Sequence, residues 1–209
     1  MFNNIDYGFD KDFDDVNIAA WVSSDKIAWP VITNDWLTSH KEKLLPLCDN
    51  RRVAVQAGGN CGLYPKLLSK YFERVYTVEP DPVNFHCLAI NCDRPNIIKM
   101  NAAVGETNEL VSIKVQWSEN VGMHQVEHGV GSSIPTILID QLALDQCDLL
   151  WLDTEGYEIH ALRGALKTIK EFSPIISLED ITQECLDLLE PIGYYVAAVS
   201  EMDTILIRK

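Results

Sequence analysis

No stretch of this chain approaches the roughly 20 apolar residues that cross a bilayer; the nearest is the short run Leu149 to Leu152. No membrane partner is therefore expected. Basic residues are scarce, with 17 Lys and Arg against 31 Asp and Glu and a formal net charge of −14. Such a balance repels phosphate backbones and anionic lipid, and no basic run longer than Arg51-Arg52 offers a local exception. Nucleic acid is excluded with it, and a neutral or cationic small molecule fits better. CxxC spacing is missing too: Cys48, Cys61, Cys87, Cys92, Cys147 and Cys185 are scattered. The start MFNNIDYGFD lacks the basic and apolar regions of a signal peptide, so a reducing, cytoplasmic setting is expected. Internal repeats and low-complexity segments are absent, and 209 residues with 47% hydrophobic and 23% charged composition describe one folded domain with a sizeable core.

What is present divides near residue 50. Residues 1–50 carry acidic and aromatic side chains without a sustained period and read as a short N-terminal cap. From residue 51 to 209, short apolar runs alternate with helical patterns, the signature of an α/β core. Val53 to Ala57, Val75 to Val78, Ile97-Ile98, Leu149 to Leu152 and Ile175 to Leu178 are strand-length and mostly apolar, as buried parallel strands are. After Glu155, the positions Ile159, Leu162, Leu166, Ile169 and Phe172 recur at steps of three and four, which predicts one helix stopped by Pro174. Val111, Ile113, Val115 and Trp117 alternate with polar residues and predict an inserted strand with one wet face. Tyr194 to Val199 and Thr204 to Ile207, joined by a short turn, predict a C-terminal antiparallel hairpin.

Two segments place chemistry at strand ends. Val55-Gln-Ala-Gly-Gly-Asn-Cys-Gly62 follows the first core strand, and its glycines let backbone N–H groups approach a ligand at a helix start. Without a ligand it is simply a tight strand-to-helix turn. Glu79, in Val75-Tyr-Thr-Val-Glu79-Pro80, ends the next strand 21 positions after Gly58, where a carboxylate can accept both hydroxyls of a ribose. Alone it would be a solvated carboxylate; together the two segments define a nucleoside crevice. Gly58-Gly59-Asn60-Cys61-Gly62 is not G-x-G-x-x-G, which disfavours a dinucleotide and hence a nicotinamide-dependent oxidoreductase.

Four blocks, VQAGGNCGLY at 55–64, VYTVEPDPVNF at 75–85, NAAVGE at 101–106 and IPTILIDQL with DLLWLDTEGYEIHALRGA across 134–165, resemble the FkbM-type family of S-adenosylmethionine-dependent methyltransferases. The resemblance runs from about Val53 to Glu179. It implies a Rossmann-like, doubly wound, mostly parallel sheet and the cofactor S-adenosylmethionine. Gly58, Gly59, Asn60 and Gly62 would lie at the methionine end, Glu79 with Pro80 at the ribose, Asn101-Ala102 near the adenine, and Asp153 facing the donor methyl. The chain departs from the family at Gly59, where alanine is usual, and at Gln56, where an acidic residue is usual. Gln56 is expected to remove a charge near the cofactor cation, and a noncatalytic nucleoside-binding module is the rival that this departure supports.

The block Leu152-Asp153-Thr-Glu155-Gly156-Tyr157-Glu158 clusters carboxylates where open α/β sheets place their ligands. Transfer to a hydroxyl needs alignment and proton removal, and Asp153, Glu155 and Glu179 are the candidate bases. Glu155 and Glu158 also suit the first turn of a helix for purely structural reasons. Oxygen ligands at this spacing suit a divalent cation, but no metal is expected. His124-Gln-Val-Glu127-His128 spells the H-x-x-E-H of zinc hydrolases, yet Gly122, Gly129 and Gly131 leave no room for the stable helix it requires. A glycine-rich loop over the crevice is expected instead, with His124 or His128 touching the acceptor. Trp21, Trp29 and Trp36 are expected to pack the cap. The acceptor implied by the family and the charge is a hydroxyl on a saccharide or other small molecule.

Overall fold

Strands that offer no polar face to water must be covered on both sides, and that requirement sets the architecture. The computed structural model describes residues 4–8, 11–13, 16–26, 34–116, 119–129, 131–200 and 203–209. Seven strands form the central sheet: β1 (Val53–Ala57), β2 (Arg74–Val78), β3 (Ile97–Met100), β4 (Leu149–Leu152), β5 (Ile175–Leu178), β6 (Tyr194–Ser200) and β7 (Asp203–Arg208). Their order is β3-β2-β1-β4-β5-β7-β6. The first five are parallel, and β7 pairs antiparallel with both β5 and β6, which is the expected terminal hairpin.

Side-chain alternation sorts the core into two layers. Val55, Ala57, Leu150, Leu152, Ile176 and Leu178 pack on one face with Ala161, Leu162, Ile169 and Leu189. These come from α4 (Glu158–Arg163), α5 (Leu166–Phe172) and α6 (Gln183–Leu189). Ala54, Val75, Leu149 and Trp151 point the other way, against Leu44, Leu68 and Phe72. That layer is built by α1 (Asn34–Leu44) and α2 (Leu63–Leu68). Helix α3 (Pro82–Asn91) begins at Asp81, whose carboxylate accepts from the backbone N–H groups of Val83 and Asn84. The cap region contributes short strands at Ile5–Asp6, Lys11–Phe13, Val16–Ile18 and Trp21–Val22. Trp21 is buried in it, its indole donating to Asp25 at 2.7 Å. Trp29, Trp117 and the side chain of Trp36 lie outside the described residues.

Three expectations are corrected. The single helix after Glu155 is two, because Gly164 lies so close to Gly105 that a Cβ would sit 1.9 Å from its carbonyl oxygen. Asp140 then caps the second piece, accepting from the backbone N–H groups of Lys167 and Thr168. The inserted strand spans Leu110–Val115, and its alternation ends early: Val111 is buried but Val115 is 54% exposed. The segment His124–Glu127, expected as loop, is a strand paired antiparallel with Leu110–Val115. In a strand, positions four apart are separated by roughly 13 Å, so His124 and His128 cannot share a zinc ion.

Candidate functional site

Strand register brings the chemistry to one edge. Ala57 lies opposite both Val78 and Leu152, and Leu152 lies opposite Leu178, so β1, β2, β4 and β5 end level. The next residue of each strand is therefore Gly58, Glu79, Asp153 or Glu179, side by side. A cavity of about 430 Å³ opens there, at the carboxyl ends of the strands, where the strand order reverses.

Of the residues singled out from the sequence, Gly58, Asn60, Glu79, Pro80, Ala102, His124, Asp153, Glu155 and Glu179 line this cavity. Gly59, Gly62, Asn101 and His128 do not. Gly59 packs inward, where a Cβ would meet Leu88 at 2.4 Å, and Gly62 lies against Cys92 and Leu88. Asn101 braces the wall by donating to the carbonyls of Glu79 and Pro80 at 2.8 and 3.1 Å. His128 stands at the rim, bonded to Glu109 at 3.1 Å and to the Tyr157 hydroxyl at 3.1 Å. Tyr64, Asn84, Val121, Thr154, Tyr157 and Asp180 also line the cavity without having been anticipated. Asn84 and Tyr157 stood inside recognisable blocks, and Val121 stood beside the glycine-rich segment expected over the crevice, so the neighbourhood of each was a signal.

The wall formed by β1 and β2 is dense with hydrogen bonds, the buried Asn84 Oδ1 being the one exception among its described side chains. Glu79 is buried and accepts from the backbone N–H of Asn60 at 2.7 Å and of Asp81 at 2.8 Å. Burial nevertheless outweighs those donors and pushes its carboxyl up to about 7. Burial would raise Asp81 as well, but the His124 ring at 2.9 Å and the amides of Val83 and Asn84 together hold it below its ordinary value. Through its Nδ1, His124 thus ties the strand pair of His124–Glu127 and Leu110–Val115 to the start of α3, while its ring lines the cavity. Asn84 adds a second tie, donating to the Val121 carbonyl at 3.0 Å.

Gln56 is fully buried and absent from the cavity wall. Its amide nitrogen donates to the carbonyls of Ala57 and Gly58 at 3.1 and 2.9 Å, while its oxygen accepts from the Thr77 hydroxyl at 2.7 Å. The expectation that Gln56 strips a charge from the cofactor side is therefore corrected: the residue faces protein and props the glycine turn. Gly58 itself, at φ +81°, lies so close to β4 that a Cβ would fall 1.6 Å from the Asp153 carbonyl oxygen.

The opposite wall is crowded with acid. One carboxylate oxygen each of Asp153, Glu155 and Glu179 lie within 4.8 Å of one another. Burial, then the neighbouring Glu179, raises Asp153 well above the carboxylate range. Burial and Glu179 likewise push Glu155 up to about 8, and burial raises Glu179. Glu155 also adopts φ +55°, a left-handed conformation unfavourable for its residue type. Glu158 is committed elsewhere, accepting from the backbone N–H and hydroxyl of Thr154 at 2.8 Å. Among the described residues lining the cavity there is no Lys or Arg.

Sheet order and the cavity at the strand ends together define a Rossmann-like fold. A family model described as the methyltransferase FkbM domain matches residues 60–196, well over half of the chain. The chain belongs to the FkbM methyltransferase domain family, as its four sequence blocks imply. Among solved structures it is similar to a methyltransferase FkbM from Methylobacillus flagellatus, with 23% identity and a TM-score of 0.56 over 82% of this chain and 47% of that one. It is similar to a T. thermophilus 16S rRNA N2 G1207 methyltransferase solved with AdoMet and guanosine, with 12% identity and a TM-score of 0.55 over 96% and 49%. A third is precorrin-6y C5,15-methyltransferase from Geobacter metallireducens, with 11% identity and a TM-score of 0.51 over 88% and 90%. At these identities the likeness is one of fold, and this chain spans about half the length of the first two. A search of curated proteins finds no match.

Proposed function

We infer that this chain binds S-adenosylmethionine in the edge cavity and transfers its methyl group to a hydroxyl of a saccharide or other small molecule. The observation that carries the reading is the pairing of a buried Glu79 on one wall with an acid cluster on the other, in a cavity whose described lining holds no Lys or Arg. That charge pattern fits a cofactor of net positive charge and disfavours the pyrophosphate of a dinucleotide. Bound there, S-adenosylmethionine supplies an already activated methyl group.

The chain's own residues then have three tasks. Glu79 accepts hydroxyl protons in hydrogen bonds at the ribose, with Pro80 and Ala102 forming the apolar walls for the base. Gly58, by approaching β4 closely, keeps the two walls at a fixed separation. Asp153, Glu155 and Glu179 hold the acceptor hydroxyl and take its proton, a contribution of about 10²–10⁴-fold in general base catalysis. The absence among described residues of any helix long and apolar enough to cross a membrane, and six free buried cysteines, suit a small-molecule enzyme of a reducing compartment, the cytoplasm.

The test is calorimetric titration with S-adenosylmethionine, S-adenosylhomocysteine and NAD in parallel. Micromolar binding of both adenosyl compounds and none of NAD is expected. Failure of both adenosyl compounds to bind would overturn the reading, and binding of NAD alone would replace it with an oxidoreductase.

A further inference from the structure

We propose that Asp153, Glu155 and Glu179 share a held proton in the free protein and surrender it when a positively charged S-adenosylmethionine enters, so that the base is unmasked only when the donor is in place. The proposal rests on the cofactor reading above and concerns these residues' protonation rather than the identity of the acceptor.

Geometry favours the held proton. Three carboxylate oxygens within 4.8 Å of one another, partly buried, repel when ionised and so raise one another's affinity for a proton. Among the described residues, the further charged groups acting on the cluster are all acidic: Glu158 from the start of α4, Asp180 after β5, and Asp203 from β7. His124, which lines the same cavity, is engaged with Asp81, and His40 is engaged with Asp203 at 3.3 Å. The Asp153 and Glu179 carboxyls lie within hydrogen-bonding reach of each other, a contact that needs a proton between them, and the Glu179 Oε2 is buried with no donor from the rest of the described protein. A bound proton or a ligand cation would satisfy that oxygen. Consistent with this, Glu155 is pushed up to about 8, above neutral pH.

A unit positive charge arriving roughly 5 Å away lowers the affinity for that proton by about a hundredfold. The proton leaves to solvent, and the ionised carboxylate is then free to accept the proton of an acceptor hydroxyl. S-adenosylhomocysteine lacks the sulfonium charge, so the cluster reprotonates around it.

The experiment is calorimetric titration of the full chain at pH 7.5 with EDTA, in two buffers of different ionisation enthalpy, using S-adenosylmethionine and S-adenosylhomocysteine as ligands. Glu79, also near neutrality, meets the same ribose in both ligands, so the difference between them isolates the cluster. Release of ~0.5–1 proton more with S-adenosylmethionine than with S-adenosylhomocysteine is expected. Glu155→Gln and Glu179→Gln should each bind both ligands and lose at least half of that difference. Equal proton release for the two ligands, or none with S-adenosylmethionine, overturns the proposal, and this wild-type comparison decides even where a variant fails to fold. If neither ligand binds, the cofactor reading falls first and this proposal with it.

Discussion

The two walls of the cavity solve opposite problems with the same kind of residue. On the β1–β2 side, the protein supplies partners to every carboxylate: Glu79 holds two backbone N–H groups, and Asp81 caps a helix and binds His124, while Gln56 makes three hydrogen bonds and only the Asn84 amide oxygen lacks one. On the β4–β5 side, Asp153, Glu155 and Glu179 face one another with a buried Glu179 oxygen left unpartnered. A wall bonded in this way is stiff and recognises shape. A wall of mutually repelling carboxyls stores electrostatic free energy that a bound proton or a ligand can relieve. On the proposed function the contrast would separate recognition from reaction across the contact between Gly58 and the Asp153 backbone.

That contact is where the comparison breaks most readily. Gly58→Ala places a methyl group 1.6 Å from the Asp153 carbonyl oxygen at a backbone angle of +81°, so the walls must separate. Strain and displaced backbone together should cost about 3 kcal/mol or more, read from urea unfolding midpoints. A loss below about 1 kcal/mol would show that the two walls are not in rigid contact.

Gln56→Glu comes next. The change restores the residue type usual in the family, yet here it removes both donors to the Ala57 and Gly58 carbonyls and buries a charge among acceptors. A loss of about 2–3 kcal/mol at pH 7.5 is expected, shrinking toward pH 5 as the introduced carboxyl takes a proton and regains one donor. Unchanged or improved stability would contradict the propping role.

Ligand affinity sharpens the comparison further. Glu79→Ala should weaken S-adenosylhomocysteine binding by about 10–100-fold, roughly 1.4–2.8 kcal/mol, because it removes the ribose acceptor and frees the Asn60 and Asp81 amides. Glu179→Gln should change that affinity by less than about threefold, since its wall serves the acceptor. Calorimetry on the two variants decides; equal losses would mean that the division between the walls is wrong.

How much of this was legible before the structure follows from which forces are local. Buried parallel strands must be apolar throughout, so β1, β4 and β5 are readable as runs, and their level ends make Gly58, Glu79, Asp153 and Glu179 readable as neighbours. Gln56 was not readable in the same way. Its role depends on which face of β1 the pleat turns it toward and on Thr77 across the sheet, and both are long-range facts. The break at Gly164 answers to Gly105, far away in sequence, while the helical period continues through it undisturbed. The strand at His124–Glu127 needed its partner at Leu110–Val115, whose own alternation fades at the exposed Val115. The bond from His124 to Asp81 was equally unreadable, because it joins a strand to a helix cap 43 residues earlier.

The smallest effect tests the acidic wall in isolation from any ligand. Carboxyls whose folded values lie above their unfolded ones bind more protons in the native state, so they favour folding fully at low pH and lose that contribution as pH rises. For Glu155 the window runs from its ordinary value of 4.5 to about 8, with Asp153 and Glu79 adding in the same direction. The ligand-free melting temperature should therefore fall across that window, opposite to the behaviour of a protein stabilised by ionised carboxylates. Glu155→Gln removes one titrating group and the repulsion it exerts on Glu179, so its decline should be shallower than that of the wild type. At pH 5 the two proteins should melt within a degree or two of each other, and at pH 8 the variant should melt higher. A variant that melts lower at pH 8 would mean that Glu155, despite its left-handed backbone and acidic neighbours, gains more from its charge than it loses.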